Sequence, residues 1–194
     1  PLTMKRGTGL TVSLGEARMV DYVRTKFALA SGKAHTLKTS MYDCADIITP
    51  YDTPWRVIMA AERPVDLIAH NFIYLNLNEP NVLQGDLSWI RPGKTFRSGL
   101  SQKEALAAVG FAAERGLQYV HLDAGWYGPE MKMESDATRI SESKDLDIKA
   151  ICDYASTKGI GVWLYVNQRA LVQQIDRLLP LYKEWGVKGI KFGF

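Results

Sequence analysis

Cysteine is nearly missing from this chain: Cys44 and Cys152 are the only two in 194 residues, and they lie far apart. Neither stands at metal-ligand spacing from another candidate ligand, so no disulfide framework or zinc site is signalled and the redox compartment stays open. An excess of one charge is also missing, since 24 basic side chains oppose 21 acidic ones for a net +3 without a long run of either sign. That balance leaves no footprint for nucleic acid or an anionic membrane. No apolar run reaches the roughly 18 residues that would cross a bilayer. The opening Pro1-Leu2-Thr3 carries neither an initiator methionine nor a signal-like segment, so the expectation is a chain truncated at both ends. Histidine is scarce too. His35, His70 and His121 each lack a second ligand at helical or hairpin spacing, and core or surface positions are expected for them.

What is present is a 46% hydrophobic content, enough for one or two packed domains. The first 85 residues carry short β-type runs between breakers: 10–14, 55–60 and 72–77, with a helical turn expected over 66–71. Gly, Asp, Ser and Pro around Trp89, from Gly85 to Pro92, mark a domain boundary, giving segments 1–85 and 86–194. The period then changes. Lys94–Ser98 reads as a strand, and Ser101 with Glu104 forms a capping box ahead of an alanine-rich helix. Tyr119–Leu122, Gly159–Val166 and Gly189–Phe194 read as further strands, separated by helical patterns over 148–155 and 171–185.

Strands alternating with helices imply a parallel sheet with right-handed crossovers, as a doubly wound sheet or a barrel. A dinucleotide-binding sheet would want Gly-x-Gly-x-x-Gly after its first strand, and only Gly99 stands there. The barrel is the better fit. A complete (β/α)8 barrel needs about 250 residues, so four strands are its first half and the rest is expected beyond Phe194. Such a half has open edges and should aggregate alone.

Barrel chemistry sits at the C-terminal ends of strands. Here those ends are Arg97-Ser98, Asp123-Ala124-Gly125-Trp126-Tyr127, Asn167-Gln168-Arg169 and Lys191 to Gly193. They suit a sugar: Asp123 accepts hydrogen bonds from neighbouring hydroxyls, Trp126 offers a face for a pyranose ring, and Asn167 and Lys191 add donors. The competing structural readings are a loop anchor for Trp126 and a turn residue for Asp123.

Three ordered motifs, Thr53-Pro54-Trp55-Arg56-Val57-Ile58, Ser88-Trp89-Ile90-Arg91-Pro92-Gly93-Lys94 and Leu122-Asp123-Ala124-Gly125-Trp126-Tyr127, resemble glycoside hydrolase family 97. Glu16-Ala17 with Asp21-Tyr22, and Gly186 to Lys191, extend the resemblance over nearly the whole chain. It implies the end of an N-terminal β-sandwich domain followed by the first half of a catalytic (β/α)8 barrel.

The resemblance also implies a chemistry that turns on Gly193. Retaining members and related α-galactosidases carry an aspartate nucleophile where this chain has glycine. Retention needs two carboxyl groups about 5 Å apart, whereas inversion separates them by roughly 6.5–9.5 Å to activate a water. The glycine therefore points to the inverting branch, similar to α-glucosidases acting on malto-oligosaccharides, with catalytic glutamates from later strands and this portion inactive alone. A calcium ion with Glu16 as one ligand, an oligosaccharide substrate, and a periplasmic or secreted location are further implications. A retaining α-galactosidase and a non-catalytic carbohydrate-binding homologue are the alternatives.

Overall fold

The structure, a computed structural model, describes residues 2–5, 7 and 9–193. It divides into two compact units, Pro1–Gly85 and Asp86–Phe194. In the first, β1 (Leu2–Lys5), β2 (Thr11–Ala17), β3 (Thr25–Leu29), β4 (Leu37–Met41) and β5 (Trp55–Ala61) are followed by α1 (Pro64–Ala69) and α2 (Phe72–Asn76). Strands β1, β2 and β5 form an antiparallel sheet in that order, and β3 pairs with β4 as a hairpin. Along β2 every second residue is buried, the period-two signature of a sheet with one covered face.

One sequence expectation fails here. Residues 72–77 are not a strand: Phe72–Asn76 is helix α2. Ile73, Tyr74 and Leu77 pack together on the core of Ala17, Val57, Met59 and Leu67, and their one-and-four spacing places them on one face of a helix.

The second unit runs β6 (Thr95–Ser98), α3 (Gln102–Glu114), β7 (Tyr119–Leu122), α4 (Ile148–Thr157), β8 (Gly161–Asn167), α5 (Gln168–Trp185) and β9 (Gly189–Gly193). The four strands lie in the order β6-β7-β8-β9, all parallel, as the first half of a β/α barrel requires. Phe194, the expected last residue of β9, lies outside the described residues.

Each of α3, α4 and α5 has a side-chain cap, which is why each starts where it does. Ser101 accepts from the Glu104 N–H at 3.3 Å, and its hydroxyl donates to the Glu104 carboxylate at 2.7 Å, so the two residues of the expected capping box also pair through their side chains. Asp147 accepts from the Ala150 N–H at 2.9 Å, and Asn167 from the Arg169 N–H at 3.0 Å. Helix α5 stops at Gly186, whose φ of 86° is the left-handed terminator that a Cβ would strain. Buried positions 105, 108, 109 and 112 on α3 repeat as 148, 151, 152 and 155 on α4, so both helices turn the same apolar stripe inward. That stripe shares a core with Val120, Leu122, Val162, Leu164 and Val166.

Alternation then sends the odd-numbered residues of these strands to the opposite face. Parallel register aligns Arg97 with His121 and Trp163, then Tyr165 with Lys191, then Asn167 with Gly193.

Candidate functional site

At the C-terminal ends of β6 to β9 four polar side chains converge. Asp123, one residue past β7, is the hub: its carboxylate lies 3.0 Å and 3.2 Å from the Lys191 ammonium, which donates to both oxygens. Arg97 Nε stands 3.1 Å from Oδ2. The Ala124 N–H donates to Oδ1 at 2.9 Å. His121 Nε2 is 3.8 Å from Oδ1, beyond hydrogen-bond reach.

The electrostatics follow from this packing. Desolvation pushes the Asp123 carboxyl up, but the hydrogen bonds from Lys191 and Ala124, helped by His121, outweigh it, and its pKa falls below the ordinary 3.8. Burial is also the main influence on His121. It holds the imidazole below 6.5, with Lys191 and Arg97 adding to the depression and Asp123 opposing it. Two permanent cations thus face one carboxylate. Arg97 and Lys191 are 72% and 50% exposed, so both keep donors for hydroxyls or for further carboxylates.

The expected site residues separate into two groups. Asp123 and Lys191 are brought together at the strand mouth. Trp126 is not a sugar platform: its indole is fully buried among Tyr127, Tyr182 and Trp185, with ring centroids 4.8, 6.1 and 6.4 Å away. Its Nε1–H donates to the Tyr165 carbonyl at 2.8 Å, so both its faces and its one donor are committed to the fold. Gly125, at a φ of 101°, lies between Asp123 in the mouth and Trp126 in the core. Asn167 is also fully buried. Its Oδ1 caps α5, its N–H donates to the Tyr127 hydroxyl at 2.9 Å, and its Nδ2 reaches Met131 Sδ and the Tyr165 hydroxyl at 3.3 and 3.4 Å. A helix cap is its role here, not a free donor for substrate.

Three residues at the mouth carry no site role in the sequence reading, although Arg97 stands among the strand ends and His121 is expected in the core or at the surface. Arg97 reaches Asp123 through the lateral pairing of β6 with β7, which spacing along one strand does not display, whereas His121 stands two residues before Asp123 and shares its side of β7 by alternation. Tyr165, 3% exposed, lies beside Gly193. Its only sequence signal was its place two residues before a strand end.

Glu16 sits on β2 with a side chain 12% exposed, in an ion pair with Arg56. Among the described residues no three His, Cys, Asp or Glu side chains come together as metal ligands. Glu16 by itself supplies one carboxylate of the several oxygens calcium requires, so these residues do not make a calcium site alone.

The comparisons with known proteins agree with this architecture. A family model described as glycoside hydrolase 97 matches residues 78–194, and one described as glycosyl-hydrolase 97 N-terminal matches residues 1–80. The chain belongs to glycoside hydrolase family 97. Within the family it is similar to a retaining alpha-galactosidase of Bacteroides thetaiotaomicron, 32% identical over 77% of this chain and 24% of that protein. It is also similar to a probable retaining alpha-galactosidase of Streptomyces bingchenggensis, 30% identical over 73% of this chain and 23% of that one. A family 97 enzyme from Pseudoalteromonas sp. strain K8, solved with acarbose, superposes with a TM-score of 0.73 at 26% identity, over 99% of this chain and 33% of that structure. The same enzyme has been solved with panose as a variant. The chain therefore spans about a quarter of the curated relatives and a third of the solved family 97 chains. No helix among the described residues is long and apolar enough to cross a membrane.

Proposed function

We propose that this chain is part of an inverting α-glucosidase that acts on malto-oligosaccharides. The observation that carries the reading is Gly193. It occupies the strand-β9 position where the family resemblance puts a nucleophile, and it has no side chain to attack carbon. The space beside it is filled, since a Cβ at Gly193 would come within 2.5 Å of Cζ and the hydroxyl oxygen of Tyr165. The acarbose and panose bound by the similar Pseudoalteromonas enzyme support a glucoside substrate.

In this reading Lys191 and Arg97 donate to sugar hydroxyls while Asp123 accepts from them, which fixes the ring over the strand mouth. A water then attacks the anomeric carbon on the face opposite the leaving oxygen. The glycosidic C–O bond breaks as an acid protonates that oxygen, and a base takes the proton from the water. Both carboxyl groups come from residues outside this chain. Calcium enters through the resemblance, with Glu16 as one ligand, and no step depends on it here.

A second reading, a retaining α-galactosidase, is favoured by the identity to the two curated relatives. Proton NMR of the first product separates the two. The full-length enzyme should release the β-anomer from an α-glucoside; the α-anomer, or cleavage confined to α-galactosides, would defeat the proposal. Oligosaccharide binding without hydrolysis would leave a carbohydrate-binding homologue. Activity that survives thorough chelation would remove calcium from the account.

A further inference from the structure

We propose that Tyr165 is a positioning residue that excludes a strand-β9 nucleophile and so holds this site to a single-displacement course. The inference rests on the inverting reading above and deepens it, because it moves the determinant from an absent side chain to a present one.

Three contacts hold Tyr165, one at its backbone and two at its side chain. The backbone carbonyl of Tyr165 accepts from the buried Trp126 indole at 2.8 Å. Its hydroxyl accepts from Asn167 Nδ2 at 3.4 Å, and Asn167 is itself fixed as the cap of α5. The Lys191 ammonium stands 5.6 Å from the ring centroid while it donates to Asp123. Tyr165 and Lys191 are register partners across β8 and β9, and Gly193 is the next residue on that face of β9. The aromatic edge therefore projects over Gly193 from a side chain held at both ends.

Any side chain at 193 begins with a Cβ, and that Cβ would overlap the Tyr165 ring. A rigid ring that is 3% exposed relieves such overlap only by leaving its packed position. An aspartate introduced at 193 alone would thus be misplaced or would displace Tyr165 from Asn167 and Lys191. Removing the ring should let it project into the mouth.

The test uses the full-length protein carrying Gly193→Asp alone, Gly193→Asp with Tyr165→Phe, and Gly193→Asp with Tyr165→Ala. Each is incubated with 5-fluoro-α-glucosyl fluoride and its intact mass is measured. The introduced carboxylate oxygen bonds to the anomeric carbon as the C–F bond breaks and fluoride departs, leaving one glycosyl residue on the protein. A stoichiometric adduct is expected only in the Tyr165→Ala combination, because Phe keeps the obstructing ring. An adduct in either of the other variants overturns the proposal, as does none in a Tyr165→Ala combination that melts like the wild type. If that combination does not fold, Gly193→Ala replaces it. Its loss of melting temperature should be relieved by Tyr165→Ala in a double-mutant cycle, and additive losses overturn the proposal. The wild-type product anomer is read separately, so an error in the inverting reading is distinguishable from an error about Tyr165.

Discussion

Lys191 Nζ lies 3.0 Å from Asp123 Oδ1 although the two residues are 68 apart in the chain and strand β8 runs between their strands. The lysine spans that strand above the Tyr165 ring. The pair is the electrostatic centre of the mouth, and its loss should be felt in catalysis. Lys191→Met in the full-length enzyme is expected to lower kcat/KM by roughly 10- to 100-fold, the ratio matching about 1.5–3 kcal/mol for a hydrogen bond to a charged group. Unchanged steady-state kinetics would take Lys191 out of the substrate site.

Trp126 should behave as a core residue. Trp126→Ala is expected to cost about 3–5 kcal/mol of stability, as large aromatic deletions in cores do. Trp126→Phe keeps much of the volume but strips the Tyr165 carbonyl of its donor, at about 1–3 kcal/mol. Urea denaturation checks both. A stable Trp126→Ala protein with only its KM raised would restore the sugar-platform reading.

Asn167→Ala removes the α5 cap and is expected to cost about 1 kcal/mol or more. Asn167→Ser keeps an oxygen that can accept from Arg169 and should recover part of the loss. Differential scanning calorimetry of the three proteins measures the ranking. Equal melting temperatures would contradict the capping role.

His121 gives the stability a pH dependence. Burial lowers its pKa from 6.5, so the unfolded chain takes up a proton near pH 6.5 that the folded chain refuses. The unfolded state then binds more protons, and stability rises with pH through that window. The stabilisation is complete above pH 6.5 and is lost as pH falls below it, until the folded imidazole also protonates. Asp123, Lys191 and Arg97 face the ring and set where that occurs. His121→Gln should flatten this slope in urea midpoints measured between pH 7.5 and 5; an unchanged slope assigns it to other groups.

Cys152 is buried and desolvation pushes its thiol up to about 12, whereas Cys44 is a free, exposed thiol. Maleimide at pH 7.5 should label Cys44 within minutes and Cys152 only after denaturation, as read by peptide mass mapping. Fast labelling of Cys152 in the native protein would show that α4 opens locally.

The β/α alternation was legible because strands and helices differ in period, and the Ser101–Glu104 box announced α3 to the residue. The short apolar run at 72–77 was not, since so few residues fit both periods and only packing against Val57 and Met59 decides. Asp123 and Lys191 could be found as strand-end residues. Trp126 was misassigned for the same reason: a strand end is visible in sequence, but the turn at Gly125 that sends the indole to the helix side is not. Arg97 needed the lateral register of β6 and β7, which depends on how the strands pair, whereas His121 lies two residues before Asp123 along the chain, within reach of alternation alone.

The contact between Gly193 and Tyr165 also constrains how such a site can change by single steps. Substitution at 193 comes at a cost while the tyrosine remains, and a shrunken 165 leaves a hole while the glycine remains. The two positions are epistatic, so the order of substitutions matters. A passage between single and double displacement must cross a poorly packed intermediate, and it opens most readily where position 165 has already become small.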